Sequence, residues 1–150
     1  MSPGRFLGID YGLKRIGLAV SDPSGLVARE LAIIQRTTNQ EDFRRIHQHI
    51  AEQRVSAIVI GTPAQDAAGD AYTLDDRIRN WVARFQATTA LPIILWNESL
   101  TSADAREIAI RQRRTPREPI DDLAARLILQ SYLDALHDGL ATPPSEVTLP

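Results

Sequence analysis

The sequence predicts a single α/β domain on a mixed five-stranded sheet, three antiparallel strands followed by two parallel ones, with helices on its faces. Three observations predict it. The first 35 residues hold three short apolar runs separated by turn residues, as in an antiparallel meander. From Thr38 onward, helical apolar stripes alternate with compact apolar runs, the signature of parallel strands joined by crossover helices. The length, 150 residues and 16.6 kDa, suits one domain of ordinary size.

Taken in order, Phe6 to Asp10 reads as the first strand and Tyr11 to Arg15 as a turn. Ile16 to Val20 is the second strand, interrupted by Gly17, a residue that asks for close backbone approach. Ser21 to Gly25 is a turn and Leu26 to Ile34 a third strand. Thr38 to Arg54 places Phe43, Ile46 and Ile50 on one helical side, with Asn39 as the expected N-cap. Val55 to Gly61 is a buried strand, Thr62 to Asp70 a loop, and Tyr72 to Gln86 a helix with Leu74, Ile78, Trp81, Val82 and Phe85 inward. Leu91 to Trp96 is the fifth strand, opened by Pro92. Ser102 to Gln112 is an expected helix with a Thr101–Asp104 capping pattern. Ile120 to Leu136 is the final helix. The domain is expected over 1–138, with a flexible tail over 139–150.

Composition excludes several classes. Apolar residues make up 43% and charged residues 24%, which argues against disorder throughout. A net charge of -2 argues against a binder held to nucleic acid by bulk positive charge. The absence of Cys removes disulfides, thiolate chemistry and Cys-ligated zinc. His47 and His49 lie two apart and diverge on a helix, so with His137 they make no zinc motif. Met1 to Arg5 is not a signal sequence, and no apolar run approaches membrane-spanning length. A cytoplasmic protein is the expectation.

Three acidic positions carry the chemistry. Asp10 closes the first strand at its carboxyl end, where open α/β sheets place ligands. Glu98 follows the fifth strand, which should end at the same edge, so 88 residues of separation collapse in space. Asp121 opens the last helix on the face shared by Ala124, Ala125 and Ile128, toward the sheet; Asp122 falls four before Arg126, on the outer side. Clustered carboxylates repel and raise one another's pKa. Mg²⁺ or Mn²⁺ relieves this with hard oxygen ligands, and two such ions about 4 Å apart suit phosphodiester hydrolysis. The plainer alternatives are a turn-shaping Asp, a solvated Glu and a helix-dipole Asp.

Basic residues flank these positions. Lys14 and Arg15 lie in the first hairpin turn, and Arg106, Arg111, Arg113, Arg114 and Arg117 fill the stretch before Asp121. Residues 101–119 carry five Arg against three acids, a local +2, whereas 120–150 carry one Arg against five acids, a local -4. These seven residues are candidate nucleic-acid contacts; a solvated loop is the alternative for the second group. Trp81 and Phe85 fit a core stripe better than a base-stacking platform.

The sequence resembles the RuvX/YqgF family, the pre-16S rRNA nucleases formerly described as Holliday junction resolvases. The resemblance lies in Gly8-Ile9-Asp10-Tyr11-Gly12 with Arg15 to Asp22 behind it, Ile60-Gly61-Thr62-Pro63, Asn97 to Thr101, and Ile120 to Ala125 with Ile128 to Leu133. It implies an RNase H-like fold related to the RuvC resolvases, with Asp10, Glu98 and Asp121 as acidic, metal-binding residues for two Mg²⁺ or Mn²⁺ ions. It further implies action on precursor 16S rRNA or a ribosomal particle, as a monomer or homodimer without membrane association. Asn97 and Ser99 depart from the family's usual Asp and Arg around the Glu, and the loop after Pro63 differs from its usual composition.

Three other readings accompany the metal-dependent nuclease. A Holliday junction resolvase would cut four-way DNA with the same residues but needs two sites related by symmetry. A non-catalytic ribosome-assembly or nucleic-acid-binding factor would carry the acids without using them. An actin-like kinase also opens with Asp-x-Gly, but it needs two such domains and this length supplies one.

Overall fold

The computed structural model describes residues 4–63, 74–98 and 120–144, with the side chains at 63, 74, 75, 97 and 98 outside the described set. Five strands form one sheet: β1 (Arg5–Tyr11), β2 (Arg15–Ser21), β3 (Ala28–Gln35), β4 (Val55–Pro63) and β5 (Ile93–Glu98). The described helices are α1 (Asn39–Gln53), α2 (Leu74–Gln86) and α3 (Asp121–His137). Spatial order is β3-β2-β1-β4-β5. The first three strands pair antiparallel, whereas β4 joins β1 and β5 joins β4 in parallel. The expected helix over 102–112 lies outside the described residues.

Alternation along each strand sorts side chains onto two faces. Leu7, Ile9, Ile16, Leu18, Ile58 and Ile60 pack beneath α1 and α2, against Phe43, Ile46, Trp81 and Phe85. Trp81 and Phe85 are buried and stacked, with ring centroids 5.4 Å apart, as the core-stripe reading requires. The opposite face carries Phe6, Ala19, Ala57, Val59 and Ile94 beneath α3, which contributes Ala125, Ile128, Leu129, Tyr132 and Leu133. Trp96 belongs to this second layer: its Nε1–H donates to Ser131 at 3.1 Å and its ring meets Tyr132 edge-on.

The α3 face is smooth because glycines occupy three strands. A Cβ at Gly8 would sit 2.7 Å from Leu129 Cβ, and one at Gly61 2.5 Å from Ile128 Cδ1. At Gly17 it would lie 1.9 Å from the backbone carbonyl oxygen of Asp121. The start of α3 therefore rests directly on β2, at a distance only glycine permits.

Several boundaries differ from expectation for identifiable reasons. The α1 cap is Thr38, not Asn39: Thr38 is extended and its hydroxyl accepts from Glu41 N at 3.2 Å, while Asn39 Oδ1 accepts from Arg36. Strand β3 starts at Ala28, because Asp22 accepts from Leu26 N and Val27 N and holds them in the turn. Strand β5 runs through Asn97 and Glu98, which continue the ladder opposite Thr62 and Pro63. Glu98 thus ends a strand rather than following one, and β4 lies between β5 and β1. At the carboxyl end, Tyr132 donates to Thr142 O at 2.7 Å and Leu140 N to Ala135 O at 2.7 Å, folding 139–142 back along α3.

Gly17→Ala should lower stability by about 2–3 kcal/mol, the overpacking range, since backbone blocks the new methyl. Gly61→Ala meets the movable end of Ile128 and should cost less. Urea unfolding of both variants checks the order; a Gly17→Ala protein as stable as wild type would contradict the contact.

Candidate functional site

Asp10 is the sixth residue of β1, on the face covered by α3, and its register partner across the β1–β2 ladder is Gly17. Since Asp121 rests on Gly17, one ladder position brings together two acids separated by 111 residues in sequence. Asp121 is the first residue of α3, where the helix dipole favours an anion. Its carboxylate also accepts from Arg15 Nε at 2.9 Å. The chain therefore uses Arg15, the first residue of β2, to hold an acid of the site.

The two acids are treated differently. Burial, and after it the negative charge of Asp121, together raise the Asp10 carboxyl to about 7. No ion pair to Asp10 occurs among the described residues, whereas Asp121 has its arginine. A desolvated carboxylate beside a second one, without a cation of its own, is the environment a hard divalent ion relieves. The donor set, all oxygen, fits Mg²⁺ or Mn²⁺. Asp10 and Asp121 are two candidate ligands; among the described residues no group of three metal-ligating side chains occurs.

Glu98 enters through its backbone. It ends β5 opposite Pro63, four residues beyond Ile94 and two beyond Trp96, both in the α3 layer. Residue 61 is level with Trp96, and Ile9 with Ile60, so Asp10 and position 98 share the carboxyl edge of the sheet, with β4 between them. Strand spacing sets that separation at about 10 Å across the sheet.

Of the candidate nucleic-acid contacts, Lys14 is exposed in the β1–β2 turn, beside the acids. Arg106, Arg111, Arg113, Arg114 and Arg117 lie outside the described residues. Asp122 Oδ1 accepts from Leu123 N, and Arg126 reaches Glu30 on β3 at 2.9 Å. The Arg15–Asp121 pair was not apparent from spacing: the two lie 106 residues apart, and it is the packing of the last helix on β2, closest at Gly17, that brings them together.

Known structures share this architecture. Thermus thermophilus RuvC in complex with a Holliday junction substrate superimposes with a TM-score of 0.64 at 17% identity, covering 93% of this chain and 99% of that one. The fowlpox virus Holliday junction resolvase gives 0.54 at 16% identity, covering 87% and 99%. The fold is therefore the RNase H-like one that these two proteins share. A family profile described as "RuvX: Holliday junction resolvase" matches residues 4–135. A Thermoanaerobacter pseudethanolicus protein provisionally named pre-16S rRNA nuclease is 40% identical over 135 residues, covering 87% of this chain and 96% of the relative. A like-named Desulforudis audaxviator protein is 33% identical, covering 92% and 99%. The chain belongs to the RuvX family.

The raised Asp10 pKa gives a signed pH dependence. Between about pH 4 and 7 the folded state holds a proton that the unfolded chain releases. Metal-free stability should therefore fall as pH rises through this window, by at most about 4 kcal/mol. Asp10→Asn should remove that fall and be the more stable protein at pH 8. Chemical denaturation in chelator at pH 5 and 8 checks it; parallel pH profiles for the two proteins would refute the assignment.

Proposed function

We propose that the protein is a divalent-metal-dependent nuclease that hydrolyses phosphodiester bonds in structured RNA, acting in 5′-end processing of precursor 16S rRNA. The observation that carries the reading is the Asp10–Asp121 acid pair at the carboxyl edge of a RuvX-family domain. The names of its relatives supply the RNA substrate. A cytoplasmic location follows from that substrate.

Asp10, Asp121 and Glu98 would hold Mg²⁺ or Mn²⁺. Bound ions of this kind activate water and stabilise the departing 3′ oxygen in phosphodiester hydrolysis. The chain's own residues prepare the site. Asp10 must give up its proton to act as a ligand, and its pKa of about 7 leaves it partly ionised at neutral pH. Arg15 fixes the carboxylate of Asp121 at the helix start, so that its orientation does not depend on substrate. Lys14, exposed in the adjoining turn, offers a cation to a backbone phosphate. Water attacking phosphorus in line leaves a 5′ phosphate and a 3′ hydroxyl.

The likeness to a RuvC–junction complex favours one second substrate, a four-way DNA junction. Its two symmetric cuts need a dimer, whereas trimming an RNA end needs one site.

Asp10→Asn should reduce cleavage of precursor 16S rRNA in Mn²⁺ by at least about 10²-fold, the scale for a lost transition-state contact, while circular dichroism stays native. Undiminished cleavage by the folded variant would remove Asp10 from the mechanism. Wild-type protein should cut precursor 16S rRNA faster than generic single-stranded RNA or a four-way junction under one metal condition. Preference for the junction would replace the RNA reading, and RNA binding without any cleavage would favour an assembly factor.

A further inference from the structure

A cavity of about 180 Å³ lies on the other face of the sheet, under α1 and α2, away from the acid pair. Tyr11 forms part of its wall and is the residue directly after Asp10, so the cavity and the acids flank the same end of β1. Arg36, just after β3, and Asn39, the first residue of α1, add two more walls from the same carboxyl edge. The remaining wall is one stripe of α2: Arg77, Asn80, Trp81 and Arg84, spaced three and four apart.

The lining is dominated by hydrogen-bond donors. Arg36 Nη1 donates to the Tyr11 hydroxyl oxygen at 3.0 Å, which leaves the phenolic proton for another acceptor. Arg36 also donates to Asn39 Oδ1 at 2.9 Å, which turns that amide's NH₂ outward as a donor. The Arg36 guanidinium is held in place by buried Asp42 and lies 4.9 Å from the Tyr11 ring centroid. Trp81 is only 3% exposed, yet its Nε1–H has no hydrogen-bond acceptor. A buried, unsatisfied indole N–H is costly unless something supplies an acceptor. Arg77 and Arg84 add positive charge from the helix. The two arginines of α2, the Arg36 guanidinium held by Asp42 and a spare phenol proton line a small volume of the size and polarity of a compact oxyanion, with the Trp81 ring in its wall.

We propose that this cavity binds a phosphate group, and that its occupant is a backbone phosphate of the nucleic acid whose cleaved bond lies at the acid pair. The second part rests on the nuclease reading; the first does not. The shared edge of the sheet supports a nucleic-acid strand as the source, because Asp10 and Tyr11 are consecutive residues on opposite faces at the end of β1, and a strand crossing that end passes both. Free phosphate or a mononucleotide is the other source of the same chemistry.

The two tryptophans make the test internally controlled, since Trp96 Nε1–H is already bonded to Ser131. In ¹⁵N-labelled full-length protein without metal, inorganic phosphate should shift the Trp81 indole N–H signal saturably and leave that of Trp96 in place. A short RNA that is not cleaved should shift the same signal at lower concentration. The double variant Arg77→Gln, Arg84→Gln should abolish the phosphate response. It should also weaken RNA binding by roughly tenfold and reduce the slope of log affinity against log salt by about 0.7 per lost contact. No Trp81 shift with phosphate would overturn the site. A shift with phosphate or a mononucleotide but not with RNA would overturn the nucleic-acid source. Both measurements are made without cleavage, so an inactive nuclease and an empty cavity give different results.

Discussion

The contact between Gly17 and the first residue of α3 governs this structure. A helix normally stands off a sheet by the length of the side chains between them. Here one missing methyl lets the Asp121 carbonyl settle onto β2, and Gly8 and Gly61 let the next turns settle as well. Because Gly17 is also the ladder partner of Asp10, packing and chemistry are set by the same residue. Among the described glycines, the closest approach of another backbone is where the two acids meet.

That arrangement is electrostatically one-sided. Asp121 has a helix N-terminus and Arg15; Asp10 has burial and a like-charged neighbour. An enzyme that only needed stability would place a cation beside Asp10 or replace it. Retaining an acid with a pKa near neutrality keeps a proton that a ligand can displace. The other face of the sheet shows the converse, arginines gathered around Tyr11 and Trp81, one of them held by buried Asp42. Acids and donors are insulated from each other by the sheet, yet both open at its carboxyl edge.

Much of this was legible from the residues in order. Strand and helix periods identified each described element, because each has one apolar face and the two periods differ. Gly17 announced a close approach by interrupting an apolar strand, and helical phase alone separated Asp121 from Asp122. What escaped was whatever depends on partners distant in sequence. Glu98 read as a loop residue because the local run of apolar residues stops at Trp96, whereas its ladder partners in β4 carry the strand two residues further. Arg15 read as a phosphate contact because its bond to Asp121 spans 106 residues. The donor-lined cavity joins one stripe of α2 to single residues from β1, the segment after β3 and α1, and no spacing rule reports such a set.

The distance along the chain between Asp10 and Asp121 has a further meaning during synthesis. Chains emerge amino end first, and the meander that carries Asp10 can pair long before residue 121 exists. Its α3-facing surface, with glycines in place of side chains, stays uncovered until the last described helix arrives. The acid pair therefore forms only with closure of the whole domain. An unfinished copy thus carries Asp10 without Asp121 beside it.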